Sequence, residues 1–503
     1  MLLQVGALEQ DALEVLGLVR SMKNDFAPIS RIPPDVFSLI PEYLEKDHLD
    51  ENLITMTHVC RYWRELLIAR STLWVRLDCA NPDQTRVYIE RSKSAPLELF
   101  LKSEDMAYLE DGFHSVAPHI GRLKSLTIVG PMDLLRSLAP HVSNPLPLLR
   151  ELSINLTYNP TPPFDSALFN GDLSSLHSLR LTGAITHLPW NNLSKITTFT
   201  LSRVSEDKIS ITQLLDFFED AHHLRDVVLD KSIPTSSDAP LERVVPLPCL
   251  EGLAIYSDAA HSVLLNHLSI PAGASLLQRF DFRGVESPLL DFLPKTLENL
   301  GHIFPVTSVN LCFGRESHVE LGGPNGMLHM HGHWTDSGGR PSFVLDRRIL
   351  RSLSRFILSG TRRLAITTYE SPTTAQIDKS APYHILSRMK NLRTVRLNQC
   401  NNLPFILALD PIQNPLRPAL CPKLEELVLY VKDLESFNIK ELMCMAERRV
   451  LMGTKLSSIT IVGLGELLSG EKVFKLKEYV TRVDYRVGEK PPRWDDVLED
   501  GEG

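Results

Sequence analysis

The sequence predicts an α/β fold in which a small unit of three helices is followed by a curved, repeat-built solenoid with a parallel sheet on its concave side. Two observations predict this architecture. Apolar residues between positions 32 and 74 follow the three-and-four spacing of helices, and a short apolar triplet recurs from position 123 to position 485. At 503 residues the chain is also too long for one hydrophobic core, which favours several units or an elongated array.

Composition limits the classes of partner and the compartment. The formal net charge of −8 provides no basic field that would attract nucleic acid. The seven cysteines are scattered without a CxxC pair, which is typical of reduced thiols. No apolar run reaches the ~18 residues of a membrane span, and the N-terminal stretch lacks the features of a signal peptide. We therefore expect a cytoplasmic or nuclear protein that binds neither nucleic acid nor membranes.

Residues 1–28 predict an amphipathic N-terminal helix. Apolar residues recur there at alternating spacings of three and four: Val5, Leu8, Ala12, Val15, Val19 and Met22. Such a stripe is typical of a helix that lies on a neighbouring unit. A coiled coil with a partner is the alternative, although so few heptads are marginal alone.

Residues 29–78 predict a small helical unit. Pro34 suits the first turn of a helix that Pro41 should shorten or kink, and the acidic stretch 45–52 indicates an exposed loop. Ser71 is the expected N-cap of a last helical turn. The second helix of the unit is expected to be continuous and to carry an apolar band that includes Leu53, Met56, Cys60, Trp63 and Leu67. So small a unit buries little surface, so this band indicates either a plain bundle core or a face that a partner covers.

Several motifs of this unit agree, in order and spacing, with those of one known family. The stretch from Ile29 to Trp74 resembles an F-box, whose pattern runs from a Leu-Pro start through Val-Cys-basic-x-Trp to a closing Leu-Trp. The matching residues here are Ile32-Pro33, Val59-Cys60-Arg61 with Trp63, and Leu73-Trp74. The following stretch VYIERSKSAPLELFL is similar to the continuation in the large F-box families of mushroom-forming fungi. Ile32, Pro41 and the longer acidic loop depart from the pattern.

The resemblance implies a docking module for the Skp adaptor of cullin-based SCF ubiquitin ligases. The adaptor-binding pattern of the family falls on Ile32, Pro33, Ile40, Leu44, Val59, Cys60, Trp63, Leu73 and Trp74. Pro33, Ile40 and Leu44 are the preferred contacts. Which of the others contact the adaptor and which only hold the helices together stays open.

Residues 79–120 are expected to connect or cap, and residues 121–487 to form the repeat array. The triplet L-x-x-L-x-L and its variants recur with their first seven central positions 20 to 28 residues apart, which is the period of degenerate leucine-rich repeats. Examples are Leu149-Leu152-Ile154, Leu250-Leu253-Ile255, Leu277-Phe280-Phe282 and Leu424-Leu427-Leu429. Return helices are expected at 213–224, 289–300, 346–358 and 439–452. Strand, helix and strand at this period predict a parallel sheet.

The residue between the last two apolar positions of each triplet should face the concave side. These residues are small or of mixed charge, which suits a protein or peptide ligand better than nucleic acid. The candidate target-binding residues are Arg180, Asp281, Asn310, Arg396 and Asp484. A solvated sheet face without a fixed ligand is the alternative.

The period fails between residues 312 and 346, where Gly and Asn turn residues between alternating strands predict a hairpin. His329, His331 and His333 would share one face of a strand, and three histidines can hold a catalytic zinc. Side chains of residues i and i+2 on one strand are separated by ~7 Å. A single metal ion would therefore reach all three histidines only with strain. We favour a polar hairpin face and expect no bound metal or other cofactor.

The leading hypothesis is a non-catalytic substrate receptor of an SCF-type ligase, which docks the adaptor through its F-box and holds an unknown target protein on its array. The sequence contains no phosphate loop, no nucleophile elbow and no HExxH motif, so we do not expect an enzyme. A repeat scaffold outside any ligase is the second hypothesis, and a metal-dependent enzyme centred on the histidine hairpin is the third. Residues 488–503 are expected to be an acidic, disordered tail.

Overall fold

The computed structural model describes the helices and strands and much of the chain between them. The described residues are 2–37, 39–43, 49–102, 106–138, 140, 145–156, 173–183, 193–204, 209–232, 238–240, 242–257, 263–282, 293–294, 297–301, 305–313, 316–324, 326–334, 353, 355–368, 380–398, 402–411, 419–431, 437–463 and 470–487. The chain divides into two compact units, Met1–Leu193 and Ser194–Gly503. It is an α/β protein whose strands pair mostly in parallel.

The first unit contains the N-terminal helices and the first strands. Its helices are α1 (Leu2–Asp25), α2 (Pro34–Phe37), α3 (Leu49–Thr57), α4 (Arg61–Ala69), α5 (Pro82–Ser92), α6 (Met106–Val116) and α7 (Met132–Leu138). Its strands are β1 (Arg76–Asp78), β2 (Leu97–Lys102), β3 (Leu123–Gly130), β4 (Glu151–Leu156) and β5 (Ser178–Thr182). Short 3-10 turns lie at Pro28–Arg31, Ile40–Tyr43, Ser71–Trp74 and Ala117–Arg122.

The second unit contains the remaining elements. Its helices are α8 (Ile211–Asp220), α9 (Ala381–Leu386), α10 (Leu403–Leu409), α11 (Ile439–Leu451) and α12 (Gly470–Tyr479). Its strands are β6 (Thr198–Ser202), β7 (Asp226–Asp230), β8 (Val245–Pro246), β9 (Gly252–Ser257), β10 (Leu268–Ser269), β11 (Ser275–Phe282), β12 (Ser308–Phe313), β13 (Glu316–Gly322), β14 (Met327–Trp334), β15 (Arg363–Thr368), β16 (Thr394–Asn398), β17 (Glu426–Val431), β18 (Ser458–Gly463) and β19 (Arg482–Val487).

The helical N-terminal region differs from the prediction in three places. The expected single second helix is wrong, because Cys60 adopts an extended conformation and caps α4, with its Sγ accepting a hydrogen bond from the backbone N–H of Trp63 at 3.5 Å. The acidic stretch 45–52 is not all loop, since α3 begins at Leu49. Ser71 is not an N-cap: it lies inside the 3-10 turn, whose N-cap is Arg70. The predicted interruption near Pro41 is confirmed, because α2 ends at Phe37.

The strands of the first unit pair in parallel in their chain order. β1 pairs with β2, and each later strand up to β5 pairs with the one before it. The central apolar residues of three triplets, Leu126, Leu152 and Leu179, are aligned across the sheet and buried. The sheet starts at Arg76, so the prediction that 79–120 only connects or caps is wrong.

The second unit repeats this pairing and adds the predicted hairpin. β6, β7, β9 and β11 pair in parallel, as do β12, β15, β16, β17, β18 and β19. The antiparallel hairpin of β13 and β14 lies between β11 and β12, because β14 pairs with β11 and β13 with β12. The hairpin prediction is therefore confirmed.

One triplet was predicted in the wrong register. On β11, Leu276 is the residue aligned with Leu253. The predicted triplet Leu277-Phe280-Phe282 required Phe280 at that position. Gln278 thereby takes the fully buried position that corresponds to Ile255. A glutamine at a buried apolar position hides the repeat from a search for apolar triplets, which explains the four-residue error.

Two of the four predicted return helices are confirmed, as α8 and α11. α8 begins with a capping box in which Ser210 and Gln213 satisfy each other's backbone N–H groups. In the described part of 289–300 the structure has a 3-10 turn at Leu297–Asn299, and most of 346–358 lies outside the described residues. The tail 488–503 also lies outside them. Among the described helices, none has both the length and the apolarity needed to cross a bilayer.

The helix α1 does not pack on the next unit as its apolar stripe predicted. All described side chains from Leu8 to Arg20 are exposed. The exposed apolar residues extend beyond the stripe to Leu13, Leu16 and Leu18. The apolar stripe of α1 is therefore uncovered in this chain.

Candidate functional site

The N-terminal helical unit has a core of its own. Phe37, Leu53 and Leu67 are fully buried, and the ring of Phe37 lies 4.7 Å from that of Trp63. The guanidinium of Arg64 donates a hydrogen bond from Nε to the backbone carbonyl of Thr57 at 2.9 Å, which joins α4 to the end of α3. The short connection between α3 and α4 is thus held by two hydrogen bonds, one from Arg64 to Thr57 and one at the Cys60 cap.

The closing residues Leu73 and Trp74 belong to this packing. Both are buried, and Trp74 has no exposed surface. The Tyr88 ring meets the indole edge-on at 5.0 Å, and the guanidinium of Arg91 lies 4.3 Å from the centre of the indole ring. Since Tyr88 and Arg91 are on α5, Trp74 joins the helical unit to the first helix of the sheet region.

A second group of apolar side chains on the same unit is exposed. We call this group, which lies outside the core described above, the N-terminal apolar set: Ile29, Pro33, Val36, Leu39, Ile54 and Val59. Val36 is 49% exposed and Val59 is 55% exposed. Aliphatic side chains that stay exposed on a unit with a filled core are typical of a protein-binding surface.

The structure separates the predicted adaptor-binding residues into three classes. Pro33 and Val59 are exposed, whereas Ile32, Ile40, Cys60 and Trp63 are half-buried. Leu73 and Trp74 are buried inside the chain, and Leu44 lies outside the described residues. Sequence reasoning missed Ile29, Leu39 and Ile54 as exposed residues. Val36, next to the buried Phe37 in α2, is exposed as well.

One face of the sheet in the second unit, called the sheet face below, carries a continuous row of aligned residues that are half-buried or, at Glu320 and Val428, buried. From β11 to β19 the row contains Leu277, His329, Glu320, Asn310, Ala365, Arg396, Val428, Thr460 and Asp484. Asn310, Arg396 and Asp484 were predicted members. Asn310 and Arg396 are two strands apart, or about 10 Å.

The remaining predicted target-binding residues lie elsewhere. Asp281 is not in the row, since Leu277 occupies its place on β11, and the side chain of Asp281 lies outside the described residues. Arg180 lies on β5 in the first unit, in a row with Ser153, Thr127 and Phe100. Asp484 forms an ion pair with Arg482 at 2.8 Å.

The hairpin adds a polar cluster to this face that sequence reasoning only partly anticipated. His318 of β13 stacks on His331 of β14 with ring centres 4.0 Å apart and planes 9° from parallel. Two residue pairs along, Glu320 is opposite His329 and accepts a hydrogen bond from Asn310 Nδ2 at 2.9 Å. Sequence reasoning missed His318 because only the strand register brings it opposite His331.

Burial controls the protonation of these histidines. Burial, with smaller contributions from His331, Arg279 and His329, lowers the pKa of His318 to about 4. The pKa of His329 is also lowered by burial, and Glu320 opposes that effect. His318 and His329 are therefore mainly neutral near pH 7.

The described residues contain no cluster that could hold a metal ion, and two of their buried thiols are poorly ionised. Among them, no three His, Cys, Asp or Glu side chains are placed to hold one metal ion; the side chain of His333 lies outside the described residues. Burial raises the pKa of the Cys79 and Cys421 thiols to about 12, which makes them poor nucleophiles near neutral pH.

Comparison of the whole sequence with known proteins gives no family assignment. No protein-family model and no curated protein matches the chain. The two candidate binding surfaces of the described residues are the N-terminal apolar set and the sheet face.

Proposed function

We propose that the protein is a non-catalytic substrate receptor of an SCF-type cullin ubiquitin ligase. Its N-terminal helices would be an F-box that docks the Skp adaptor. Its strands would belong to a curved, degenerate leucine-rich-repeat solenoid, and the sheet face with its row of aligned residues would hold a target protein. The observation that carries the proposal is the N-terminal apolar set, which is exposed on a unit whose own core is filled.

Burial divides the residues of the F-box-like motifs into two groups. Pro33 and Val59 are in the F-box-like motifs and are exposed, so they are available to a partner. Leu73 and Trp74 are in the same motifs but are buried, so their role is to hold the unit in shape. A division into framework and contact residues is what a docking module requires.

The repeated strand register supports the solenoid part of the proposal. Apart from the inserted hairpin, each strand of the main sheets pairs in parallel with the preceding one of its unit, and equivalent apolar positions align from strand to strand. Neighbour-on-neighbour stacking with one buried apolar row is the arrangement of repeat arrays. A row of side chains across many strands offers an extended surface for a protein segment.

The mechanism follows from holding two partners on one chain. The adaptor connects the receptor to the cullin and the ubiquitin-transfer enzymes, while the sheet face binds the target. Linking the two raises the effective concentration of the target near the ubiquitin carrier, so the receptor needs no chemical step of its own. No cofactor is needed for this role.

Affinity purification followed by mass spectrometry tests the proposal. The full chain should recover the adaptor and a cullin, together with target candidates. The double variant Val36→Asp/Val59→Asp should lose the adaptor and cullin and keep the targets. Leu451→Asp, at an exposed aliphatic residue of α11, is the matched control and should recover everything. Stable partners without any adaptor would instead support a scaffold outside a ligase.

A further inference from the structure

Two arginines on the sheet face have guanidinium groups that are open to a ligand. Arg363, at the start of β15, is exposed, and Arg396 of β16 is half-buried. Among the described residues, neither guanidinium has an ion-pair or hydrogen-bond partner. By contrast, Arg393, which precedes β16, is paired with Glu425 at 3.4 Å. The N–H donors of Arg363 and Arg396 are therefore available to an acceptor from another molecule.

The strand register brings these two arginines to opposite sides of a small residue. Arg396 is aligned with Ala365, which lies two residues beyond Arg363 on β15 and is aligned on its other side with Asn310. Neighbouring strands are about 4.8 Å apart and residues i and i+2 about 7 Å apart, so the two arginine Cα atoms are about 8 Å apart. The short Ala365 side chain leaves space above the sheet that both long side chains can reach. We call Arg363, Ala365 and Arg396 the arginine subsite.

The carboxylates on the strands next to the arginine subsite have other hydrogen-bond donors. Glu320, which is aligned with Asn310 on the side away from the subsite, accepts a hydrogen bond from Asn310 Nδ2 at 2.9 Å. Glu426 on β17 accepts a hydrogen bond from Thr394 Oγ1 at 3.3 Å. The positive charge of the subsite is therefore not cancelled by direct contact with either carboxylate.

The chemistry of the subsite favours a carboxylate ligand. A guanidinium group binds a carboxylate through two parallel N–H···O hydrogen bonds, and two such groups can share one carboxylate or take neighbouring ones. The desolvation cost of an anion rises steeply with its charge, and Glu320 and Glu426 weaken the surrounding positive field. A singly charged carboxylate therefore fits the subsite better than a doubly charged phosphate.

We propose that Arg363 and Arg396 bind an aspartate or glutamate side chain of the target protein, so that the sheet face recognises an acidic segment. This inference rests on the proposed function, because it names the class of segment that the sheet face holds. The net charge of the chain is −8, so the attraction comes from these two positions and not from the overall charge.

Fluorescence polarisation of a labelled hexaglutamate peptide with the full chain tests the proposal. We expect saturable binding, which a labelled hexaglutamine peptide should not show. The double variant Arg363→Gln/Arg396→Gln should weaken the binding at least about tenfold, because it removes charge-assisted hydrogen bonds. Arg393→Gln, the control at an exposed arginine that is already paired, should change it less than about twofold. Arg363→Lys/Arg396→Lys keeps the charge and removes the planar donors, and should weaken binding about threefold or more.

Three outcomes would overturn the arginine subsite: no binding of hexaglutamate, binding that the glutamine double variant leaves unchanged, or an equal loss in Arg393→Gln. A hexaphosphoserine peptide that binds at least about tenfold more tightly through the same arginines would also overturn it, since the ligand would then be a phosphate.

Adaptor binding separates this inference from the proposed function. Val59→Asp should leave peptide binding unchanged, and the glutamine double variant should still bind the adaptor. A chain that binds hexaglutamate through Arg363 and Arg396 but binds no adaptor would refute the ligase role and support the subsite. A chain that binds the adaptor but not the peptide would refute the subsite alone.

Discussion

The indole Nε1 of Trp74 donates a hydrogen bond to the backbone carbonyl of Leu67 at 2.9 Å, with both residues fully buried. This bond connects the 3-10 turn that ends in Trp74 to the last turn of α4. It gives the Leu67 carbonyl a second donor beside the backbone N–H of Arg70, which lies at 3.3 Å, and it fixes the indole between α4 and α5. The shape of the N-terminal helical unit depends on this contact.

Trp74→Phe and Trp74→Ala should therefore destabilise the protein to different extents. Phenylalanine keeps most of the packing and loses the hydrogen bond, which should cost about 1–2 kcal/mol of unfolding free energy. Alanine also leaves a cavity against Tyr88 and Leu67, and should cost about 3–5 kcal/mol. Chemical unfolding of the full chain, monitored by far-ultraviolet circular dichroism, measures both losses of unfolding free energy. Equal losses for the two variants would contradict this account of the bond.

Gln278→Met should stabilise the protein by about 1–2 kcal/mol. The Gln278 side chain is fully buried between strands that present Ile255 and Met330, and neither of its amide atoms has a hydrogen-bond partner among the described residues. Replacing it with an apolar residue of similar length removes the cost of burying an unsatisfied amide. The control Gln278→Glu should destabilise strongly, since it buries a charge. A loss of stability in Gln278→Met would show that the amide has a structural role.

Arg449→Met should destabilise the second unit by about 3 kcal/mol or more. Its fully buried guanidinium donates hydrogen bonds to the backbone carbonyls of Leu409, Leu420, Cys421 and Thr454. An apolar replacement removes this donor from all four carbonyls, although that of Cys421 keeps a hydrogen bond from the backbone N–H of Leu424 at 3.0 Å. Arg393→Met is the control, because Arg393 forms only an exposed ion pair with Glu425 at 3.4 Å, and it should change stability by less than about 0.5 kcal/mol. Comparable losses in the two variants would refute the assignment.

The stability of the hairpin should fall as the pH falls from about 6.5 towards 4. The folded pKa of His318 is about 4, below the ~6.5 of an unfolded histidine, so the unfolded chain binds more protons in this range. The stabilisation is complete above pH ~6.5 and is lost on acidification. Because His318 is only partly buried, the expected effect is about 1–2 kcal/mol.

His318→Asn measures this contribution by difference. The gap in unfolding free energy between the wild type and His318→Asn should shrink between pH 7.5 and pH ~4.5, because asparagine does not titrate. Unfolding curves at several pH values provide the comparison. A gap that stays constant or widens on acidification would disprove the stacked, neutral arrangement of His318 and His331.

Local patterns in the sequence were enough to predict the strands and the hairpin. The apolar triplets place Leu152, Leu253 and Leu427 on the buried side of their strands, and the turn residues after Gly322 indicate the hairpin. For the strands the deciding interaction is burial of an apolar side chain, and the residue type alone shows which side chains are apolar. Gln278 shows the limit of this reasoning, since its burial depends on the register of neighbouring strands.

The candidate site was predicted less completely, because exposure depends on tertiary contacts. Trp74 and Val59 belong to the same sequence motif, yet Tyr88 and Arg91 help to bury the first while the second stays in water. Similarly, His318 becomes part of the sheet-face cluster through its pairing with His331. The Cys60 cap that separates α3 from α4 could not be read from a continuous helical spacing.

The most direct test of the central claim is a calorimetric titration of the purified full chain with a purified Skp adaptor. We expect saturable one-to-one binding that Val59→Asp weakens at least about tenfold, since a charge replaces an apolar contact, with no change for Leu451→Asp. Unfolding free energies should stay within about 0.5 kcal/mol in both variants, because both side chains are exposed. No heat of binding for the wild type, or equal affinity for Val59→Asp, would contradict the claim that the exposed N-terminal side chains dock the adaptor.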